Sequence, residues 1–297
     1  MDKSRPFISV IIPTYDRASQ LSVCLEAFAA QDYPRDRFEV LVVDDGGGCS
    51  PEDSVGTIRH QLNVRLLKQL HSGPAAARNY GAAHANGAFL AFTDDDCAPD
   101  PGWLRSLATC FLSCSDCVLG GRTINELANN RYSTVSQLVV EYLYARWNSD
   151  PDHMTFFTSN NLALPVKSFH AVGGFDVGWT RAAGEDRDLC DRLTIRGYQL
   201  KYAADALVRH AHSLTFRTFW RQHFNYGRGA FRLHQVRARR EARGIRFEPL
   251  GFYLKMLGYP IARTQSRKAA LLAALVGVAQ IANAAGFCWE WSNGKRA

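Results

Sequence analysis

Three consecutive aspartates, Asp94, Asp95 and Asp96, follow the apolar segment 89–93. Carboxylates this close raise one another's pKa unless a cation lies between them, and hard oxygen ligands suit Mg²⁺ or Mn²⁺. A solvated turn or a helix N-cap explains one acidic residue, but not three after a buried strand. The spacing therefore predicts a divalent-cation site, for which a diphosphate is the natural co-ligand.

A second acidic pair, Glu185 and Asp186, opens a predicted helix after a loop that ends at Gly184. Acidic residues in a first helical turn complement the helix dipole, and this structural role is common. A carboxylate at such a position is equally suited to act as a general base that takes the proton of an acceptor hydroxyl. The residues alone leave both interpretations open.

Basic and imidazole groups supply further candidates. Arg78 lies early in a helix rich in small residues, and its spacing fits a ligand contact and a solvent-exposed arginine equally well. His210 follows a predicted strand, where it either packs on the surface or completes a metal shell. The segment 216–228 interleaves aromatic residues with arginines, which suits nucleic acid, a sugar with a diphosphate, or a basic amphipathic helix.

The elements that must position these residues alternate between strand and helix in the first half of the chain. The predicted strands are 7–12, 38–43, 64–67 and 88–93, and the predicted helices are 21–30 and 75–85. Such alternation predicts an α/β fold with a mostly parallel sheet flanked by helices. Ligands of such sheets bind beyond the carboxyl ends of the strands. Polar segments 13–17, 44–47 and 94–96 follow three strand ends, so they are expected to line one pocket.

Later elements are less regular. The sequence predicts a helix over 133–146, a strand over 154–164 and two short strands over 199–203 and 207–210. The eight cysteines are scattered, and they are interpreted as reduced residues rather than as a disulfide framework. The spacing of Cys110, Cys114 and Cys117 resembles that of an iron–sulfur site, but their helical context favours buried small apolar residues.

Charge divides the chain into two parts. Residues 1–200 hold 18 Lys and Arg against 24 Asp and Glu, a net −6, whereas residues 201–297 hold 17 against 4, a net +13. This asymmetry predicts an acidic catalytic part followed by a basic tail that faces lipid headgroups or nucleic acid. The N-terminal residues lack the pattern of a signal peptide, so the catalytic part is expected in the cytoplasm.

The segment 269–289 contains no charged residue. As a helix it is about 31 Å long, close to the thickness of a bilayer core. Basic residues flank it on both sides: Arg263, Arg267, Lys268, Lys295 and Arg296. An interfacial helix or shallow anchor on anionic lipid is the preferred interpretation, while a helix packed on the catalytic domain and a true span stay open.

Taken in order, these motifs resemble those of the family 2 glycosyltransferases, which are inverting enzymes with a GT-A fold. The resemblance runs from about Phe7 to His212. Its motifs are Pro13-Thr14-Tyr15-Asp16-Arg17, Val42-Val43-Asp44-Asp45-Gly46, Ala77-Arg78-Asn79, Asp94-Asp95-Asp96, Gly173-Gly174-Phe175-Asp176 and Glu185-Asp186. The family has Asn more often at the place of Asp16.

The resemblance implies roles for individual residues. Asp186 is expected as the general base, with Glu185 as the alternative. The expected metal ligands are Asp96, Asp94 and His210, with Mn²⁺ or Mg²⁺ as the ion. The expected donor-binding residues are Pro13, Thr14, Tyr15, Arg17, Asp45, Arg78, Asp94, Asp95 and Arg228. Of these, Asp45 is expected at the nucleotide base and Asp94 near the ribose.

The sequence thus predicts a metal-dependent glycosyltransferase that transfers a sugar from a nucleotide-diphosphate donor to an acceptor hydroxyl, and the resemblance implies a UDP-linked donor. We expect a role in cell-surface glycan or glycolipid synthesis, with the chain peripheral to or anchored at the inner face of the cell membrane and no nucleic-acid partner. The expected organisation is a GT-A catalytic domain over 1–235, with a nucleotide-binding half over about 1–120 and an acceptor half over about 121–235, and a helical C-terminal region over 236–297.

Two other functions have distinct signatures. A catalytically inactive protein that binds a nucleotide sugar or glycan at the membrane would not require both the triple aspartate and the Glu185-Asp186 pair. A nucleotidyltransferase would require a glycine-rich loop with Lys or Arg after the first strand, and 13–17 is not such a loop.

Overall fold

A computed structural model describes residues 5–148, 150, 154–179, 183–241, 248–263 and 268–293. The chain forms two compact units, the first built from Met1–Ile124 with Asn148–Ala211 and the second from Asn125–Trp147 with His212–Ala297. The expected domain boundary at residue 235 stays a prediction. Thr180, Arg181 and Ala182 of the predicted loop, and the flanking residues Arg267, Lys295 and Arg296, lie outside the described residues.

The first unit is a mixed α/β layer structure around one sheet. Within the described residues its strands are β1 Ile8–Thr14, β2 Phe38–Asp44, β3 Val64–Lys68, β4 Phe89–Phe92, β5 Cys97–Pro99, β6 Val118–Asn125, β7 Leu162–Pro165 and β8 Leu200–His210. Its helices are α1 Ala18–Ala29, α2 Glu52–Ile58, α3 Pro74–Ala83, α4 Trp103–Ser113, α6 Val166–Ala171 and α7 Glu185–Ile195.

The sheet has the strand order β3-β2-β1-β4-β7-β6-β8-β5. The N-terminal strands β1 to β4 pair in parallel, whereas β7 pairs antiparallel with β4 and β6, and β5 pairs antiparallel with β8. The predicted α/β class is confirmed. Parallel pairing was predicted from the alternation of strands and helices in the first half of the chain, and within the described residues it occurs only among those strands, β1 to β4. The register pairs Thr14 with Asp44, so β1 and β2 end at the same level.

Burial explains why the N-terminal strands form. Every residue of β2 is buried, and so are most residues of β1, because helices cover the sheet on both faces. α1 presents Leu21, Cys24, Leu25 and Phe28 at helical spacing to this core. These strands are therefore held rigidly. The polar residues that follow their carboxyl ends lie along one edge of the sheet, which we call the rim.

Two local predictions are wrong. The strands predicted over 199–203 and 207–210 are one continuous strand, β8, because residues 204–206 stay extended within the sheet. The strand predicted over 154–164 is a 3₁₀ turn at Ser159–Asn161 followed by the short strand β7. Before this turn, the Met154 N–H donates to the Leu200 carbonyl at the start of β8. Phe156 and Phe157 are buried in the core but belong to irregular backbone.

The cysteines also differ in part from expectation. Cys114 and Cys117 form a disulfide, because the turn after α4 brings their Cα atoms to 5.5 Å, within the usual range for such bonds. Cys24, Cys97 and Cys190 are buried free thiols, as predicted.

The second unit is helical in its described residues. It contains α5 Arg131–Trp147, α8 Phe216–Glu241, α9 Leu250–Arg263 and α10 Ala269–Asn293, so the helix predicted over 133–146 is confirmed. Its core includes Phe219 of α8, Phe252 and Met256 of α9, and Val276 and Ala279 of α10. Among the described residues, α10 alone is long and apolar enough to cross a membrane, judged by length and composition.

A buried histidine of this unit makes its stability sensitive to pH. His223 is 1% exposed, and its Nε2 lies 3.2 Å from Ser136 Oγ. Burial, with a smaller contribution from His212, lowers the pKa of His223 to about 4. The unfolded chain, with a histidine pKa of about 6.5, binds the proton more readily, so stability is complete above pH 6.5 and falls as the pH drops toward 4.

We therefore expect the unfolding free energy to drop by up to about 3 kcal/mol between these pH values. Denaturation of wild type and His223→Gln across this range measures the effect. The variant should show a shallower dependence on pH, and identical slopes would contradict the assignment.

Candidate active site

The three aspartates lie in the tight connection between β4 and β5. Thr14 Oγ1 donates a hydrogen bond of 2.8 Å to Asp95 Oδ2. Arg17 Nη1 lies 3.2 Å from Asp95 Oδ1 and 3.0 Å from Asp96 Oδ2. The end of β1 thus fixes the acidic loop, and the predicted residues Thr14 and Arg17 contact two of the three carboxylates directly.

Asp95 faces inward. It is 4% exposed, and burial raises its pKa to about 6, although Arg17 acts in the opposite direction. Because both carboxylate oxygens contact Thr14 and Arg17, this side chain positions the loop. A direct contact of Asp95 with the donor stays a prediction.

Asp96 and His210 lie side by side and offer a carboxylate oxygen and an imidazole nitrogen, which are groups that can bind a cation. The β5–β8 register pairs Cys97 with His210, which brings the imidazole beside the neighbouring Asp96. His210 Nε2 lies 3.2 Å from Asp96 Oδ1. Burial lowers the pKa of His210, but the hydrogen bond and charge of Asp96 outweigh it, so the net pKa is raised.

A third group, the Cys97 thiol, completes a cluster of ligand atoms within 4.8 Å of one another. Burial and the nearby aspartates raise the pKa of this thiol, so it stays protonated. A neutral thiol is a poor ligand for a hard cation. The fitting donors are therefore one carboxylate and one imidazole, to which substrate oxygens can be added.

Arg78 is buried between two acidic groups. Its Nη2 lies 2.7 Å from Asp94 Oδ1, and its Nη1 lies 3.3 Å from Glu185 Oε1. α3 begins with Pro74 after Gly73, whose φ of 88° favours glycine, and packs tightly on the sheet, since a Cβ on Gly81 would lie 2.6 Å from Ile11. The helix therefore delivers Arg78 to the rim.

Asn79 ties this helix to the Gly-Gly-Phe-Asp segment. Its side-chain amide donates to the Phe175 carbonyl at 2.7 Å and accepts from the Phe175 N–H at 2.9 Å. The Phe175 ring lies 5.5 Å from the Arg78 guanidinium carbon. Gly174 has a φ of 69°, and a Cβ there would lie 2.7 Å from Asn79 Oδ1. The Ala77-Arg78-Asn79 and Gly173-Gly174-Phe175-Asp176 motifs, which lie far apart in sequence, are therefore held together in the fold by these contacts.

The acidic pair at the start of α7 has two different environments. Glu185 is 3% exposed, and its Oε2 has no hydrogen-bond partner among the described residues. Burial and the Asp186 charge raise the pKa of Glu185 to about 7, against the effect of Arg78. Asp186 is only partly buried and accepts the Arg187 N–H at 2.7 Å; burial raises its pKa as well.

Asp45 organises the loop between β3 and α3. Its carboxylate accepts the backbone N–H groups of Ser72 and Gly73, each at 2.9 Å, and the Gln69 amide at 2.6 Å. His71 Nδ1 lies 2.9 Å from Asp45 Oδ2. The predicted contact of Asp45 with a nucleotide base stays a prediction, since this carboxylate is held by its own chain.

The loop also supplies a residue that the sequence reasoning missed. The His71 ring lies 4.4 Å from the ring of Tyr15, and both side chains are exposed at the rim. The sequence contained a signal that could have identified His71: the polar segment 69–73 directly follows the end of β3, just as the other polar segments of the site follow their strands. Pro13 lies within β1 opposite Val43 and is half-buried.

The first unit therefore brings together most predicted site residues. Its contacts join Thr14 and Arg17 to Asp95 and Asp96, Asp96 to His210, and Arg78 to Asp94 and Glu185. Arg228 lies in the second unit, where its Nε is 2.6 Å from Glu290 Oε2 and its guanidinium carbon is 4.0 Å from the centre of the Trp289 ring. Its predicted donor contact stays a prediction.

Comparisons with known sequences bear on this site. Residues 9–175 match the family model for glycosyl transferase family 2. The chain is 29% identical over 242 residues to the glycosyltransferase AglE of Haloferax volcanii, which covers 77% of this chain and 74% of AglE. It is 32% identical over 228 residues to the pre-mycofactocin glycosyltransferase of Mycobacterium tuberculosis, covering 75% of this chain but only 46% of that protein.

Solved structures share the fold. The mannosyltransferase PcManGT of Pyrobaculum calidifontis, in complex with GDP-Man and Mn²⁺, superposes with a TM-score of 0.65 at 20% identity, covering 96% of this chain and 88% of that chain. TarS 1-349 of S. aureus in complex with UDP superposes with a TM-score of 0.56 at 18% identity, covering 98% and 91%. The expected GT-A-type α/β fold is thus confirmed.

Proposed function

We propose that the acidic rim carries out sugar transfer, because this chain belongs to glycosyl transferase family 2 and is a glycosyltransferase. The reaction we infer is inverting transfer from a nucleotide-diphosphate donor to an acceptor hydroxyl. One observation carries the proposal: within a single unit, Arg78 joins Asp94 to Glu185, so the acidic loop and the candidate base pair lie at the same rim.

The donor is proposed to bind across the strand ends. Tyr15 and His71 offer exposed ring faces at the rim above Asp45, which suits a nucleotide base. Asp94 is 29% exposed and its Oδ1 contacts Arg78, so a ribose hydroxyl is a fitting partner for its second oxygen. Arg17 is half exposed beside the acidic loop, where its guanidinium suits a phosphate.

A divalent cation, Mn²⁺ or Mg²⁺, fits Asp96 and His210. The metal contact expected of Asp94 stays a prediction, because Arg78 holds Asp94 Oδ1 and the proposed ribose contact uses Oδ2. Asp96 Oδ1 and His210 Nε2 lie 3.2 Å apart, and carboxylate oxygen is a ligand that suits both ions. When bound, such an ion neutralises charge on the diphosphate leaving group. PcManGT was solved with Mn²⁺.

The chain's own residues would position and deprotonate the acceptor. Glu185 is 3% exposed whereas Asp186 is partly exposed, which favours Asp186 as the residue that meets an acceptor hydroxyl. We propose that Asp186 takes the hydroxyl proton while the oxygen attacks the anomeric carbon on the face opposite the diphosphate, which inverts the configuration. Glu185 would hold Arg78, and Arg78 would hold Asp94 in place.

Asp96→Ala tests the metal site without requiring an acceptor. We expect Mn²⁺ to tighten binding of a nucleoside diphosphate to the wild type, and the variant to lose about tenfold or more of that tightening, because even the outer partners of metal ligands are worth that much. Calorimetry with UDP and GDP, each with and without Mn²⁺, measures it.

Asp36→Ala is the matched control, since Asp36 is 59% exposed and precedes the start of β2, at the end of that strand opposite Asp44. It should bind like the wild type. Metal-dependent binding that survives in Asp96→Ala would contradict the assignment of this ligand.

The substrates are proposed at the level of chemical class. TarS was solved with UDP and UDP-GlcNAc, and PcManGT with GDP-Man. We favour a UDP-linked donor, and the acceptor is a glycan, lipid-linked or small-molecule hydroxyl. A role in cell-surface glycan or glycolipid synthesis follows from an acceptor of the first two kinds. We also propose a cytoplasmic catalytic unit associated with the inner face of the cell membrane through the C-terminal helices.

A further inference from the structure

The exposed side of α10 is apolar from Leu271 to Cys288. Leu271, Ala274, Ile281, Ala285 and Cys288 follow one another at helical spacing and are all exposed. No charged residue occurs between Ala269 and Trp289. A solvent-facing helix side normally carries charged residues, so a long uncharged side indicates a non-aqueous partner.

The opposite side of α10 is held against α8 by contact between the two backbones. A Cβ on Gly286 would lie 1.9 Å from the Phe224 carbonyl oxygen, and a Cβ on Gly227 would lie 1.8 Å from the Asn283 carbonyl oxygen. The Arg228–Glu290 ion pair joins the same two helices. α10 is therefore an integral part of the second unit.

This attachment decides between a helix that crosses a bilayer and one that lies on it. α8 contains seven arginines in its 26 residues. Arginine is among the residues most strongly disfavoured at the bilayer centre. A helix fixed along such a partner cannot enter the hydrocarbon core end-on without carrying these charges with it.

α9 adds a second apolar stripe. Leu250, Leu254 and Ile261 are 73%, 59% and 59% exposed and share one side of the helix. α9 packs beside α10, since the Leu257 side chain lies 3.6 Å from the position of a Cβ on Gly277. Exposed cations, Lys255 and Arg263 of α9 and Lys268 before α10, accompany these stripes.

We propose that α9 and α10 form a monotopic lipid-binding surface, with α10 lying in the plane of an anionic bilayer rather than spanning it. The apolar stripes enter the boundary between headgroups and acyl chains, and the cations attract anionic headgroups. The excess of positive charge in residues 201–297 supplies the charge complementarity. This inference builds on the proposed membrane association and fixes its surface and orientation.

Vesicle binding of the full chain tests the surface. Ile281→Glu and Leu254→Glu should each weaken sedimentation with phosphatidylcholine–phosphatidylglycerol vesicles by about tenfold or more. Ile195→Glu and Leu112→Glu are matched controls on the first unit, 64% and 66% exposed in the wild type, and they should bind like the wild type. Equal losses in both pairs would overturn the proposal, and so would a lack of vesicle binding by the wild type.

Label depth tests the orientation. Nitroxide labels placed singly at 274, 281 and 288, with the other accessible cysteines replaced by Ser, should report one common depth. A spanning helix would instead separate the first and last labels by about 21 Å, and that result would overturn the proposal. A dimer in solution that Ile281→Glu dissociates, without vesicle binding, would assign the surface to a second copy. Nucleotide binding in the absence of vesicles tests the proposed donor site separately.

Discussion

Replacing Asp186 by Asn is expected to lower kcat by about 10³-fold, within the range attributed to a positioned general base, and to leave donor binding within about twofold of wild type. Asn has the shape of Asp but cannot accept the proton of the acceptor hydroxyl. The residue is partly buried at the first turn of α7, and burial raises its pKa. Initial rates with a nucleotide-sugar and acceptor pair, together with calorimetric donor binding, measure the two effects.

Asp191→Asn on the same helix is the matched control and should retain most activity. Glu185→Gln distinguishes the two acidic residues, because Gln keeps an oxygen for the hydrogen bond from Arg78. Its kcat should fall less than that of Asp186→Asn. A larger loss of kcat in Glu185→Gln than in Asp186→Asn would make Glu185 the base. Full activity of Asp186→Asn would show that Asp186 is not the base.

Replacing Arg78 by Met is expected to destabilise the first unit by about 3–5 kcal/mol, as loss of one partner of a buried ion pair does. Arg78 is 3% exposed and pairs with Asp94 and with Glu185, which is itself buried. Without the arginine, Glu185 must take up a proton or remain as an uncompensated buried charge. Chemical denaturation followed by a signal from the first unit measures the loss.

Arg105→Met is the corresponding surface control, because Arg105 and Asp32 are 59% and 62% exposed. Exposed pairs contribute about 0–1 kcal/mol, so this variant should be almost as stable as the wild type. Adding Glu185→Gln to Arg78→Met should restore part of the lost stability, since it removes one unpaired acid. Similar losses for Arg78→Met and Arg105→Met would contradict the role of Arg78 as the buried link.

The strand ends were the most predictable feature of the molecule. β1, β2 and β4 are short, apolar and followed at once by polar residues, so sequence alone predicted both the strands and the rim that contains Thr14, Asp45 and Asp94. Their positions depend on local pattern and on the general geometry of parallel sheets. The acidic loop between β4 and β5 was therefore predicted with its neighbours.

The contacts made by distant segments were less predictable. The pairing of β5 with β8, which brings His210 beside Asp96, depends on long-range register, and no local pattern encodes that register. Spacing left Arg78 undecided between a surface and a ligand role, whereas the structure buries it between two acids. His71 was missed because a single histidine in a loop carries no pattern of its own.

Tertiary packing also overrode local pattern. The segment 154–158 was predicted as a strand because Met154, Phe156 and Phe157 are apolar, yet these three side chains fill the core from irregular backbone. Gly120 shows how close this packing is, because a Cβ there would lie 1.9 Å from the ring of Phe157. Apolar composition predicts that a segment is buried, but it does not decide whether a neighbouring strand is available for pairing.

The β5–β8 pairing has a consequence for synthesis of the chain. Asp96 emerges from the ribosome long before His210, and the carboxylate–imidazole pair forms only after β8 has joined the sheet. The nascent N-terminal half therefore carries the acidic loop without its imidazole partner. Because a domain generally folds as a unit, the pair that we propose as cation ligands forms late, when nearly all of the first unit has been translated.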